Sequence, residues 1–396
     1  ALVKIYFKLY RNSRGNLMSN LKKVLIGLFI ASLTIIVVVL FSMKTENTKI
    51  DEVLTNEQDI LSTSPQANEE SEIEIEEVVQ KETIQIAMIG DILMHEGLAS
   101  YKDYTSSFSP VEAYMKEYDY LIANQESPPV ANKFPISGYP QFSSPDYIIR
   151  DLKAAGVDML NIANNHIVDK GEEGVTTFFE NLAVYDMPYV GAYQSEEDAN
   201  TDRIIELKGI KVGIVSYTYG TNGLYLPQGS PYVIDYIDEE KIRADVQSLK
   251  NKVDVVVAHV HWGPEFTTQE HETQRTLANL LNEVGVHIVF GTHPHVLQPY
   301  TKLTNEYGED THVFYSLGNY FSTTMTDISY IGGIASLQIT KEGEMITIDQ
   351  PTLRATANLL DSDGIYRVYP LAETEERAAR NLEWVRQVLG EGVTVE

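Results

Sequence analysis

Apolar and polar positions divide the chain into three regimes. From Val24 to Met43 twenty consecutive residues carry no charge, VLIGLFIASLTIIVVVLFSM. At the helical rise per residue this run matches the roughly 30 Å hydrocarbon core of a bilayer. Lys44 to Thr83 is rich in Glu, Asp, Ser, Thr and Asn, has no aromatic residue and contains SEIEIEE. Such a segment buries too little apolar surface to offset its ordering entropy, which predicts a flexible acidic stalk. From Ile84 onward short β-rich runs alternate with helical stretches. Strands are predicted over Ile84–Gly90, Tyr120–Asn124, Met159–Ala163, Tyr189–Gly191, Val212–Tyr217, Val253–Ala258, His287–Phe290 and Val313–Leu317. Helices are predicted over Asp146–Ala155, Glu172–Val184, Glu239–Lys250 and His271–Val284. Ile334–Thr340 and Met345–Gln350 flank Lys341-Glu342-Gly343-Glu344 as a hairpin, and an amphipathic helix is expected near Glu373–Leu389. The alternation implies an α/β domain with its sheets covered by helices, and there is no internal repeat.

Charge orients this layout. Residues 1–23 hold Lys4, Lys8, Arg11, Arg14, Lys22 and Lys23 and no acid. The positive-inside rule then places the N-terminus in the cytoplasm and everything after Met43 outside. The uncharged run is longer than a usual signal-peptide core, and no small-x-small cleavage site follows it, so an uncleaved anchor is favoured over a removed signal. Met18-Ser19-Asn20 followed by Leu21-Lys22-Lys23 reads like a natural start, with residues 1–17 an upstream extension. The expected organisation is a cytoplasmic basic tail (1–23), a single-pass cell-membrane anchor (24–43), the stalk (44–83), a folded domain (84–352) and a C-terminal extension with an amphipathic helix (353–396). A net charge of −27 argues against nucleic acid as a partner. It leaves an anionic substrate open, because a bound divalent cation reverses the local field. The absence of cysteine removes disulfides, thiolate metal sites and cysteine nucleophiles, leaving histidine and oxygen ligands.

The predicted strands run into metal-ligating side chains. Ile84–Gly90 leads to Asp91 and then His95, and Tyr120–Asn124 leads to Glu126. Met159–Ala163 leads to Asn164-Asn165-His166. Val253–Ala258 leads to His259 and His261, and His287–Phe290 leads to His293 and His295. Ligands collect outside the carboxyl ends of strands in α/β sheets, so these groups should converge. Singly each has a structural explanation: a Gly-Asp turn, an Asx loop, a satisfied histidine. Jointly that explanation weakens, since six of the nine histidines sit just past predicted strand ends. Ser143–Pro145, Tyr219–Asn222 and Ser316–Asn319 are further loops expected near the site.

The succession GDILMH, ANQE, NIANNH followed by Asp169, HWGPEF, GTHPHVLQP and YSLGNYF resembles the CapA/PgsA proteins of bacterial poly-γ-glutamate capsule synthesis, in order over about Ile84 to Phe321. The resemblance implies a calcineurin-like metallophosphoesterase fold, a four-layer α/β/β/α sandwich. It implies Asp91, Glu126, Asn165, His261, His293 and His295 as ligands of one or two divalent metals, with Glu126 bridging. It implies His166 as the acid or anion-stabilising group, with Asp169 available to orient its ring. His95, His259, Asn124 and Asn164 are possible additional site residues. The sequence departs from the wider superfamily where His95 lies four positions after Asp91 instead of two, and where Glu126 replaces a bridging Asp. His259 and His261 share one side of an extended strand, and His261 is preferred because the family's ligand directly precedes Trp-Gly. Carboxylate, amide oxygen and imidazole suit Mn, Fe or Zn. Two such ions can clamp a substrate oxygen and activate water. One function that follows is a metal-dependent hydrolase of an anionic substrate or capsule polymer, working with other membrane subunits of a capsule-synthesis complex. The alternative is a non-catalytic polymer-binding or export component of that complex.

Overall fold

The computed structural model describes residues 81–323 and 326–396. The basic tail, the uncharged run at 24–43 and the stalk up to residue 80 lie outside the described residues. Among the described residues no helix is long and apolar enough to cross a membrane.

Two mixed sheets stack face to face. The first contains β1 (Lys81–Leu93), β2 (Tyr120–Gln125), β3 (Met159–Asn161) and β4 (Tyr189–Val190), all parallel. The second is built on β7 (Ile210–Thr218), β9 (Val255–His261), β10 (Ile288–Thr292) and β12 (Asp310–Phe314), also parallel, with β6 (Arg203–Leu207) and β11 (Tyr300–Thr304) as antiparallel edges. β5 (Ala192–Tyr193) and β8 (Val233–Ile234) form a separate two-stranded ribbon.

Period-2 alternation assigns each strand two apolar faces, as parallel strands buried on both sides require. Ile84, Ile86 and Met88 of β1 meet Val212, Val257 and Phe290 of the other sheet in a core between the sheets. Ala87 and Ile89 face the opposite way, onto helices α1 (Tyr147–Ala155) and α2 (Gly171–Val184) through Ile149, Leu152, Val175 and Phe178. Val256, Ala258 and Val260 of β9 pack on α3 (Glu239–Lys250) and α4 (Glu272–Val284) through Ile242, Val246, Ala278 and Leu281. Helix, sheet, sheet and helix therefore form four layers, as expected.

Several expected boundaries move. The Tyr189–Gly191 strand is split by Gly191, whose φ of 96° lets the chain leave the first sheet for the β5–β8 ribbon. The expected Val313–Leu317 strand ends at Phe314, and the chain then crosses to the first sheet as β13 (Asn319–Ser322), parallel to β1. The hairpin is longer than its pattern: β14 is Ile331–Glu342 and β15 is Met345–Leu360. The expected domain end at Thr352 thus falls inside a continuous strand. β16 (Tyr366–Pro370) and β17 (Thr394–Val395) pair with β15, so 353–396 completes the first sheet instead of extending beyond it. At the other end Lys81 to Thr83, expected in the stalk, already pair with β14. The final helix α5 is only Leu382–Leu389, capped by the Asn381 side chain. Upstream of it Arg377 is drawn to Asp361 at 2.6 Å and over the Tyr369 ring, and the segment turns there.

Candidate metal centre

The carboxyl ends of β1, β2, β3, β9 and β10 open onto one buried cluster. At the end of β1, Gly90 presses against the chain crossing between sheets, and a Cβ there would lie 2.0 Å from the Gly318 carbonyl. Only glycine fits, and the adjacent Asp91 N–H donates to that carbonyl at 2.9 Å. Glu126 follows β2 directly. After β10, His293 and His295 both adopt left-handed backbone, with φ of 96° and 58°. Non-glycine residues hold such conformations only where their surroundings fix them, and these cluster at functional sites. Here the His293 N–H reaches Asp91 Oδ2 at 3.4 Å and His295 Nδ1 lies 3.1 Å from the same oxygen.

Six implied ligands converge. Ligand atoms of Glu126, His293 and His295 lie within 4.8 Å of one another, and so do those of Asp91, Glu126 and His261. Glu126 belongs to both groups, with Oε1 3.5 Å from His261 Nε2 and 3.7 Å from His295 Nε2. Asn165 Oδ1 sits 2.9 Å from His261 Nε2. All six side chains are buried, yet both oxygens of Glu126 and Nδ1 of His293 have no hydrogen-bond partner. Unsatisfied buried polar atoms are costly, and so many aimed into one small volume fit a cation binding between them.

The electrostatics agree. Burial, then the charge of Asp91, pushes the Glu126 carboxyl well above its usual range, while His295 opposes the shift. Burial and the neighbouring imidazoles hold His261 and His293 well below theirs, so both are neutral, as metal ligation requires. Burial also acts to lower His295, but the carboxylates of Glu126 and Asp91 outweigh it and raise the ring to about 9. Without a metal a proton on His295 takes up part of the carboxylate charge.

A one-way hydrogen-bond chain fixes which nitrogen His261 presents. Asp91 Oδ1 can only accept, so the Asn124 amide donates to it at 2.7 Å. The Asn124 oxygen then accepts from the Asn161 amide at 2.7 Å, which turns the Asn161 oxygen toward the Ser216 hydroxyl. With its proton committed to Asn161, Ser216 accepts from His259 Nδ1 at 3.0 Å. His259 Nε2 must accept from Thr292 at 2.7 Å, and Thr292 must accept from His261 Nδ1 at 2.8 Å. His261 Nε2 is left bare and aimed at Glu126 and Asn165.

Three of the four possible additional residues take other roles. Both ring nitrogens of His259 are engaged in this chain, so it positions His261 and is not a ligand; burial lowers it to about 3. Asn124 is likewise committed to Asp91 and Asn161. Asn164 closes an Asx turn onto the His166 N–H at 3.1 Å and ties to the Gln125 carbonyl at 3.0 Å. His95 belongs to neither ligand group. Its ring stands edge-on to Phe142, which is edge-on to His166, and its buried Nδ1 has no hydrogen-bond partner, so it borders the centre with a nitrogen to spare.

His166 and Asp169 do pair, Nδ1 to Oδ2 at 2.7 Å. The same carboxylate oxygen accepts from the Phe142 N–H at 2.7 Å, which fixes it. Nε2 of His166 is left free on a ring of set orientation. Two of the three expected nearby loops contribute as well, while Ser144 of the third donates to the Ser127 carbonyl at 3.1 Å. The Tyr219 ring packs on His293 at 4.6 Å, Asn222 accepts from the Asn165 amide at 3.3 Å, and Asn319 Oδ1 lies 3.1 Å from His295 Nδ1. Asn161, Ser216 and Thr292 were not foreseen. Asn161 and Thr292 stand within the NIANNH and GTHPHVLQP runs, but their roles, like that of Ser216, come from the register that sets Asn161 beside Asn124, Ser216 beside His259 and Thr292 beside His261.

Residues 85–324 match the family model described as Bacterial capsule synthesis protein PGA_cap. The chain is 29% identical over 250 residues to the PGA biosynthesis protein CapA of Bacillus subtilis (strain 168), covering 60% of this chain and 63% of that protein. It is 28% identical over 254 residues to the capsule biosynthesis protein CapA of Bacillus anthracis, covering 61% and 60%. The aligned stretch spans less than two thirds of either relative. Among solved structures, the calcineurin-like phosphoesterase YfkN from Bacillus subtilis aligns with a TM-score of 0.42 at 15% identity, over 78% of this chain and 96% of that one.

Proposed function

The chain belongs to the bacterial capsule synthesis protein PGA_cap family, and on that premise we propose a membrane-anchored, extracytoplasmic hydrolase of capsule assembly that acts on an anionic substrate through a divalent metal centre. Asp91, Glu126, Asn165, His261, His293 and His295 would hold one or two ions. Divalent metal supplies Lewis acidity toward a substrate oxygen and an activated water. The protein's own groups do the rest. Asp91 and Glu126 would balance the ion's charge, Glu126 giving up its proton as a cation binds, and the Asn124-to-Thr292 chain keeps His261 in the ligating tautomer. His166, held by Asp169, presents Nε2 to protonate a leaving group or to bond the charge that develops on it. The bond cleaved is an ester, a phosphoester or a γ-glutamyl amide, and the partners are the capsule polymer and other membrane subunits of its synthesis complex.

The observation that carries this reading is the pair of orphaned Glu126 oxygens beside an oriented His–Asp pair. It is tested by metal analysis of the purified chain and its Glu126→Ala variant, together with turnover of an activated phosphodiester and of a γ-glutamyl polymer. Stoichiometric metal in the wild type, lost in the variant along with turnover, is expected. Full metal content in both would remove Glu126 from the centre. Metal without turnover on any substrate class, in a protein that still supports capsule formation, would favour the non-catalytic binding role.

A further inference from the structure

A cavity of about 470 Å³ opens beside the metal centre. It lies within the size range of small-molecule pockets. Its wall is continuous with the centre: Trp262, Gly263 and Pro264 follow the ligand His261 in the chain, and Tyr219, whose ring packs on His293, lines the cavity too. The Tyr219 N–H donates to the His261 carbonyl at 3.0 Å, so this wall is tied to the ligand. Ile237 and Leu277 supply the opposite side.

Most polar groups in the lining are committed within the protein: His271 Nδ1 is bonded to the Thr273 hydroxyl at 2.9 Å, with both residues exposed at the rim. The Gln274 amide donates to Gln298 at 2.8 Å and its oxygen accepts from the His271 N–H at 2.8 Å. The Trp262 indole donates to the Tyr315 carbonyl at 2.9 Å. The surface that remains is largely aromatic and aliphatic. Ile237, Thr273 and Leu277 also line a second cavity of about 600 Å³ on the far side, between α3 and α4. Glu239, Glu272 and Glu283 border that outer end, and its arginine, Arg243, is already bonded to Glu239 and Glu283 at 2.9 and 3.0 Å. A polyanion continuing in this direction would meet acids without a free cation. Tyr219, 47% exposed in the cavity wall and packed on His293, and Phe266, whose ring lies 5.7 Å from His295 outside that wall, carry the apolar character to the ligands themselves.

We propose that this cavity is a subsite for an apolar chain carried by the substrate, whose anionic group is held at the metal centre. The proposal rests on the reading of that centre as an anion-binding metal site. The substrate is then an amphiphile, and the Tyr219–Leu277 side of the site selects its apolar part.

The test is calorimetric titration of the manganese-loaded full chain with methylphosphonate and with octylphosphonate. The octyl compound is expected to bind at least about tenfold more tightly. The ratio should fall to within about twofold of one in Leu277→Asp, and also in Thr273→Trp, which fills the cavity from an exposed helix position and so guards against misfolding of the first variant. Equal affinities in the wild type, or a ratio that survives both substitutions, overturns the subsite while leaving the metal centre intact. Failure of the loaded protein to bind either phosphonate overturns the anion-binding reading and the subsite with it.

Discussion

At the scale of single residues, the centre divides into side chains that would meet the metal and side chains that set which atom His261 presents to it. Asp91 lies near the end of β1, His261 ends β9, and Glu126, Asn165, His293 and His295 follow strands; the fold brings all of them to one buried volume. What was not legible in the sequence was the shell behind them. Ser216 and Thr292 look like ordinary polar strand residues until β7, β9 and β10 come into register, because sheet pairing is non-local and leaves no mark in the local pattern. Two outcomes follow. Ser216→Ala removes the acceptor that holds the His259 proton on Nδ1, so His259 and then His261 can adopt the opposite tautomer. Metal affinity should fall about 10- to 100-fold, as for other groups that orient ligands. Chelator competition would measure it, with ring-nitrogen chemical shifts of His261 reporting the tautomer. Unchanged affinity would mean that the chain does not govern ligation. His166→Ala, by contrast, should retain metal and fold while turnover drops about 10²–10⁴-fold, the usual loss on removing a general acid. A loss of metal together with activity would make His166 a ligand and not an acid.

Among the elements, those with strong periodicity were placed well. Glu239–Lys250 matches the expected helix at both ends, and α1, α2 and α4 shift by one residue at the start. Errors gathered where the chain changes sheets, at Gly191 and between Phe314 and Asn319, since apolar run length does not record which sheet a strand joins. The misplaced boundary at Thr352 has a similar cause: β15 is long and half-exposed, so its outer residues read as a connection. The short β5–β8 ribbon was not foreseen as an element, and its link to α3 has a measurable consequence. Asp235, just after β8, is buried, and Lys241 of α3 lies 3.3 Å from its Oδ1 at an angle that makes no hydrogen bond. Burial pushes the carboxyl up to about 6 from an ordinary 3.8, against the pull of Lys241. The folded state therefore binds this proton more tightly than the unfolded chain does. Its contribution to stability declines as pH rises through the window between those values and stays low above it. Asp235→Asn should accordingly raise the melting temperature relative to wild type at pH 7.5, with the difference shrinking at pH 4.5. Lys241 keeps Asp245 at 2.9 Å in either case. A variant less stable at pH 7.5 would show that the ion pair outweighs the burial.

For the whole molecule, the described domain holds the candidate metal centre but does not fix where that centre would act. That depends on the segments before Lys81. The uncharged run from Val24 to Met43 has six cations and no acid on its N-terminal side and an acidic segment on the other, within a chain of net charge −27. Asymmetry of Lys and Arg, more than total charge, sets the orientation of a single span, so the basic end should stay in the cytoplasm. The metal centre would then meet its substrate outside the cell. Protease added to intact protoplasts expressing the chain with one epitope at each end distinguishes the arrangements. The C-terminal epitope should be lost without lysis, and the N-terminal epitope should survive on a short membrane-bound fragment. A C-terminal epitope protected until the membrane is broken would place the domain inside and remove capsule assembly at the outer face. Loss of both epitopes from the cell, with the domain recovered in the medium, would keep the domain outside but make the uncharged run a cleaved signal, so that any hold on the membrane must come from partner subunits.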